Sequence, residues 1–405
     1  MAHPNTARRV NRIRESPSIA AAARARVLIA DGHDVLDLTV GEPDFDTPEH
    51  IKLAAIAAIQ RGETKYTSVN GTPVLREAII GRLKRRTGIG YDDSQVTVGG
   101  GAKQIIYLAM SATLDEGDEV IVPAPYWVSY PDMVLANDGT PVIVECPEPD
   151  GFVLTPDALA AAITPRTRWV VLNMPGNPTG ASYSPAQLRG LADVLLAHPH
   201  VAVLTDEIYD EIWFDDGEVS SIVAVEPGLA DRVLVVNGVS KTYAMTGWRL
   251  GYAAGPAPLV AAINKLQGQT SSCPSSISQA AAVAALNGDQ SPVQEMVAIY
   301  RHRRDLAVKL LNVIPGISVT PPSGAFYLFP SCAGLIGRTT PTGAVLTCDA
   351  DVVRYLLDAA KVASVHGGAY GLSPYFRISF ATSELVLEQA CERISSAVAD
   401  LRSTP

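Results

Sequence analysis

Between residues 105 and 267, short apolar runs alternate with segments of helical periodicity, and this alternation narrows the fold more than any other feature of the chain. The runs at 119–122, 141–144, 169–172, 201–204 and 233–236 are rich in Val, Ile and Leu and read as buried strands. Helical segments at 105–113, 185–196 and 259–267 fall among them. Strand, helix and strand in succession imply a mainly parallel sheet covered on both faces, an α/β fold. Upstream, Ser16-Pro17, Thr47-Pro48 and Thr72-Pro73 each read as a helix cap followed by proline. The first helix should end near Gly32; the second carries Ile51, Ala55 and Ile59 towards Gly62; the third carries Leu75, Ile79 and Leu83. Beyond Ser291 a long helix should run to Leu311, followed by a strand at 325–329, a helix at 352–357, a strand at 375–380 and a last helix from Ser383. The Pro/Gly/Thr-rich stretch 334–343 reads as an exposed insertion. At 405 residues the chain exceeds one ordinary core. Residues 49–300 are expected to form a large domain, with 1–48 and 301–405 building a smaller α/β domain from both ends.

Composition matters mainly for what it excludes. A formal net charge of −10 argues against a nucleic-acid surface, which needs clustered cations. The early arginines Arg8, Arg9, Arg12 and Arg14 read as a solvated segment or a small-anion contact. The uncharged stretch 266–288 is too rich in Ser, Gln, Gly and Pro for a membrane span. Five dispersed cysteines without paired spacing suit a reducing compartment, so a cytoplasmic location is expected. The seven histidines make no ligand spacing, so no metal is expected, and no GxSxG elbow points to a serine hydrolase.

The chemistry gathers where the strands end, as it does in open parallel sheets. After the run at 233–236 come Ser240, Lys241 and, eight positions beyond the lysine, Arg249, set among small and apolar neighbours. Desolvation favours a neutral lysine amine, which a Schiff base with an aldehyde requires. An arginine fork suits a phosphate. An aldehyde bearing a phosphate points to pyridoxal 5′-phosphate, although a lone lysine in such a loop is more often merely solvated. Asp206 follows the run at 201–204, where a buried carboxylate could hold a pyridinium proton; a helix N-cap explains it as well. Tyr209 and Asn177 could donate to a ring phenolate, with a core tyrosine and an Asn-Pro turn as the plain alternatives. Gly101, Ala102 and Lys103 open an apolar-periodic helix after a glycine run, a moderate phosphate signal that matches neither a dinucleotide nor a Walker loop. Trp127 offers a flat ring for stacking, and Gly41 a backbone that a ligand could approach. Strand alternation sets Arg377 opposite Phe376, Ile378 and Phe380, where it could grip a substrate carboxylate.

Taken together, these residues resemble the class I aminotransferases of the fold-type I pyridoxal-phosphate enzymes, in the bacterial aspartate and aspartate/prephenate branch. The likeness runs from Gly41-Glu42-Pro43-Asp44-Phe45 through Thr64-Lys65-Tyr66, Pro125-Tyr126-Trp127, Asn177-Pro178-Thr179-Gly180, Asp206-Glu207-Ile208-Tyr209 and Ser240-Lys241 to Phe376-Arg377-Ile378-Ser379. It implies a seven-stranded, mainly parallel sheet sandwiched by helices. It also implies that Lys241 carries the cofactor, that Asp206 holds its ring nitrogen, and that Asn177 and Tyr209 bind the ring oxygen. Trp127 would stack on the ring, while Arg249, Ser240 and the amides of Gly101, Ala102 and Lys103 would hold the phosphate. Tyr66 would reach the phosphate of a partner subunit, which implies a homodimer with shared sites. Arg377 and the Gly41 backbone would take the α-carboxylate of an amino acid or a 2-oxo acid, with Trp127 and Asn177 beside it, and Lys103 would meet an acidic side chain. The segment 269–276 lacks the arginine that other aspartate aminotransferases use for that side chain, so a specialised transaminase for neutral, aromatic or unusual amino acids is the alternative, and a lyase a more distant one.

Overall fold

The computed structural model describes residues 6–13, 17–217 and 219–402. Its seven-stranded sheet comprises β1 (Val96–Gly99), β2 (Glu119–Ala124), β3 (Thr140–Glu145), β4 (Thr167–Asn173), β5 (Ala202–Asp206), β6 (Val233–Gly238) and β7 (Gly251–Ala254). The spatial order is β1-β7-β6-β5-β4-β2-β3, and β7 runs antiparallel to both of its neighbours. The central strands are apolar on both faces because helices cover both. Val170, Leu172, Val203 and Val235 enter one core, and their neighbours Trp169, Val171, Leu204 and Val236 enter another.

The five strands read from the sequence are all present. The two strands not foreseen, β1 and β7, are only four residues long; each contains glycine, and β7 two alanines as well. Helices Ser129–Ala136, Pro156–Ala162 and Ser276–Asn287 also went unread. The last of these packs on helices Glu49–Gln60 and Pro73–Thr87 through Ala281, Ala282 and Ala285, small residues that carry little periodic signal. Thr72 caps its helix as expected, its side chain accepting from the Leu75 amide. Ser16 lies outside the described residues, and the helix it was expected to cap begins at Pro17. Helix Glu49–Gln60 buries Ile51, Ala55 and Ala58, but Ile59 turns outward.

A third core gathers Leu38, Ile208, Tyr209, Ile212 and Phe214 with residues from Met296 onward, including Tyr300, Phe326, Tyr327, Ile378, Phe380 and Ile394. Helix Ser291–Asn312 joins two of these cores, with Val293 in the first and Tyr300 in the third. The expected strand at 325–329 is shorter, Tyr327–Leu328, and pairs with Phe376–Ser379. The stretch 334–343 is not simply exposed: Leu335 and Thr340 are buried, and Thr339 bridges to Arg402. Among the described residues no helix is long and apolar enough to cross a membrane.

Candidate active site

A cavity of about 520 Å³ opens at the carboxyl ends of the parallel strands. Asn173 ends β4 and Asp206 ends β5, while Ser240 and Lys241 follow β6 and Trp127 follows β2. Because β7 is reversed, its beginning lies at the same edge, which brings Arg249 to the same place. Arg377 and the backbone at 39–42 close the cavity from the side of the third core.

The phosphate end is shaped by glycine. Gly101 has φ +100, and a Cβ there would lie 2.6 Å from Arg249 Nη2. A Cβ on Gly251 would lie 2.2 Å from the Ala102 amide nitrogen, so the start of helix Ala102–Thr113 rests directly on β7. The first N–H groups of that helix have no intrahelical acceptor and meet the Arg249 guanidinium at one spot, as an anion site requires. A Cβ on Gly238 would lie 3.0 Å from Leu250 O and 3.1 Å from Ile208, so the position leaves little room for any side chain.

Lys241 is half-buried, and its Nζ donates to Gly41 O at 2.5 Å. Burial pulls its amine down to about 8; Glu42 opposes the shift, and Arg377 and Arg249 add to it. Asp206 accepts from the Tyr130 hydroxyl at 2.7 Å and from the Ile208 amide at 3.3 Å. Burial pushes its carboxyl up to about 6 despite these hydrogen bonds and the nearby lysine. The N-cap explanation fails, since Asp206 is followed by turns and no helix starts there. Tyr209 is buried, its hydroxyl 2.9 Å from that of Tyr327. Lys103 Nζ stands 4.7 Å over the Trp127 ring, its amine lowered by burial and by Arg249. Arg377 is buried rather than solvent-facing. It donates to Asn177 Oδ1 at 3.0 Å and to Thr39 O at 2.5 Å, between the rings of Tyr327 and Tyr370. Its Nε is buried and unpaired, a donor whose hydrogen-bonding capacity is unspent.

The cavity therefore gathers Lys241, Asp206, Tyr209, Asn177, Trp127, Ser240, Ala102, Lys103, Arg249, Gly41 and Arg377. Gly101 contributes the turn behind Arg249 rather than a wall. Tyr66 stands apart, with 91% of its surface exposed. Sequence reading did not single out Tyr130, Tyr327, Thr39, Glu42 or Arg26, all of which line the cavity. The cations Arg26, Lys103, Lys241, Arg249 and Arg377 outnumber the carboxylates Glu42 and Asp206, so the site favours anionic ligands.

The profile of the class I and II aminotransferases matches residues 33–394. The aspartate aminotransferase of Rhizobium meliloti (strain 1021) is 53% identical over 391 residues, covering 96% of this chain and 95% of the relative. The aspartate/prephenate aminotransferase of Cereibacter sphaeroides is 51% identical, covering 96% and 98%. Among solved structures, that of the Rhizobium meliloti aspartate aminotransferase superposes with a TM-score of 0.97 at 52% identity, covering 99% of this chain and all of that one. The Thermus thermophilus aspartate aminotransferase with maleate gives 0.91 at 38%, covering 98% of this chain and 100% of that one. Fold and cavity are those of a fold-type I, pyridoxal-phosphate-dependent enzyme. Within that class the chain belongs to the class I and II aminotransferases and is a transaminase.

The residues fit the cofactor. A half-buried amine with a lowered proton affinity suits its aldehyde, a buried carboxyl its ring nitrogen, and the glycine-shaped helix start with Arg249 its phosphate.

Proposed function

We propose that the chain moves an amino group between aspartate or glutamate and 2-oxo acids, working as a homodimer in the cytoplasm. One observation carries this reading: the desolvated Lys241 amine and the half-satisfied Arg377 guanidinium open on one cation-rich cavity. When bound, pyridoxal phosphate supplies an aldehyde on which amines exchange and a ring that accepts electrons. Arg377 takes the substrate α-carboxylate in a forked grip, replacing part of its present bond to Asn177, and so orients the Cα–H bond. Lys241 Nζ then moves the Cα proton, acting as base and acid in turn; an amine lowered to about 8 is suited to both near neutral pH. Asp206, braced by Tyr130, holds a proton at the ring nitrogen, and Tyr209 with the Asn177 amide serves the ring oxygen. Lys103, with Arg26 at the cavity mouth, offers charge to a second carboxylate. The acidic substrate is favoured by these cations and by relatives named for aspartate.

Residues 49–300 form the cofactor domain in this reading, and 1–48 with 301–405 the smaller one; a core built mostly from Leu38 and residues after 300 supports this division, and Ile208, Tyr209, Ile212 and Phe214 reach into it from the larger part. A dimer accounts for exposed Tyr66 and for Leu53, Ile56 and Ile59, which helix Glu49–Gln60 presents outward.

Single-turnover mixing with a panel of amino acids tests the reading. Aspartate and glutamate should bleach the cofactor's visible absorbance fastest, and borohydride should fix the cofactor on Lys241. Lys241→Ala should still bind cofactor yet lose at least ~10²–10⁴-fold in rate. Near-normal turnover by that variant, or fast bleaching by neutral amino acids alone, refutes the assignment.

A further inference from the structure

Tyr327 joins two parts of the site whose roles are otherwise separate. It begins the short strand Tyr327–Leu328, which pairs with the strand that carries Arg377, in the register Ser379 to Tyr327. Its ring lies 4.5 Å from the Arg377 guanidinium carbon, and its hydroxyl lies 2.9 Å from the Tyr209 hydroxyl. A Cβ on Gly41 would stand 2.9 Å from that same hydroxyl, which therefore also abuts the backbone where Lys241 rests. Were its ring needed only for packing, phenylalanine would serve without burying a hydroxyl that must find a partner.

We propose that Tyr327 is a positioning residue that strengthens, through Tyr209, the hydrogen bond to the cofactor's ring oxygen and links it, through Arg377, to the seating of the substrate carboxylate. The inference rests on the roles given to Tyr209 and Arg377 above. Two hydroxyls at this distance share one hydrogen. When Tyr209 turns its own hydrogen to the ring oxygen, Tyr327 must donate to Tyr209, and the polarised phenol becomes a better donor. The ring oxygen is then stabilised as an anion, and the bound cofactor loses its titrating proton at lower pH. Burial pushes the Tyr327 phenol up to about 12, and the Arg377 charge pulls against that shift. A carboxylate that neutralises Arg377 weakens Tyr327 as a donor, so the titration should move upward when the carboxylate binds.

The experiment uses the full protein reconstituted with cofactor, its visible absorbance titrated against pH with and without succinate. Tyr327→Phe keeps the ring against Arg377 and removes the hydroxyl. Its transition should rise by roughly 0.3–1 pH unit, the worth of one neutral hydrogen bond. The succinate-induced rise should shrink, kcat should fall about 3–10-fold, and KM for aspartate should stay within about twofold. In a Tyr209→Phe background the same change should add less than about 0.2 unit, because the relay runs through Tyr209. An unmoved transition in Tyr327→Phe, or an equal shift in both backgrounds, overturns the proposal. If Tyr327→Phe does not fold, Tyr209→Phe alone decides: its succinate-induced rise must shrink, and an unchanged rise overturns the relay. A wild-type protein with no titrating band would instead overturn the cofactor roles on which the proposal stands.

Discussion

Enclosure works against the charges on Asp206 and Lys241, and in opposite senses. The carboxyl is pushed up to about 6 and the amine drawn down to about 8, so between those values both groups are charged at a cost. A raised carboxyl binds its proton more tightly when folded. The cofactor-free protein therefore loses stability as pH rises from about 4, the ordinary aspartate value, to about 6. Two units correspond to about 3 kcal/mol. Asp206→Asn should remove that slope: without cofactor it should exceed wild type in urea-measured stability by about 3 kcal/mol at pH 7, and the gap should close towards pH 4. Its cofactor affinity should nevertheless fall at least ~10-fold, because the ring nitrogen loses its counter-charge. A stability gap independent of pH refutes the burial argument. Asp206, Lys241 and Arg377 were legible because each follows or interrupts an apolar run, a local pattern. Tyr130 and Tyr327 were not, because their meaning lies in contacts to Asp206 and Tyr209, 76 and 118 positions away. In sequence they look like core tyrosines.

Among the elements, the contact that shapes the phosphate site is one of backbone on backbone. Gly251 opens β7 with no side chain, and the Ala102 amide, the Gly101 carbonyl carbon and Ala102 Cα would all lie within 2.8 Å of a Cβ there. No rotamer relieves such a clash, so Gly251→Ala must push the helix start away from Arg249. Cofactor or inorganic phosphate should bind at least ~10-fold more weakly, with a loss of about 1–3 kcal/mol in thermal or urea stability. Gly268, in helix Ala257–Thr270, meets only Val69 at 3.9 Å. Gly268→Ala should therefore stabilise by about 0.5–1 kcal/mol and leave phosphate affinity alone. Equal phosphate affinity in Gly251→Ala and wild type refutes the close-approach reading. The features that make β7 useful also hid it. Gly251-Tyr252-Ala253-Ala254 has neither β-branched residues nor alternation, and its strand character comes from pairing with β1 and β6 on either side. The Val-rich strands needed no such context.

At the scale of the whole molecule, the chain presents more apolar surface than its cavity uses. Tyr66 is almost fully exposed, and helix Glu49–Gln60 turns Leu53, Ile56 and Ile59 outward although its other face is well buried. The spacing of Ile51, Ala55 and Ile59 pointed all three inward; a 3.6-residue period carries the last of them round the helix, where only a partner surface would cover it. If Tyr66 completes a neighbour's phosphate site, defects at positions 66 and 241 must complement each other. Tyr66→Ala alone should weaken cofactor binding about 10–100-fold, the worth of a hydrogen bond to a charged group. Lys241→Ala alone should be inactive. In a mixed dimer, one site combines both defects, whereas the other pairs an intact Lys241 with an intact Tyr66. Refolding the two variants together should thus restore one tight cofactor site per mixed dimer and up to half of wild-type turnover in it. Additive behaviour, with no site recovered in the mixture, would mean that Tyr66 serves its own chain or none.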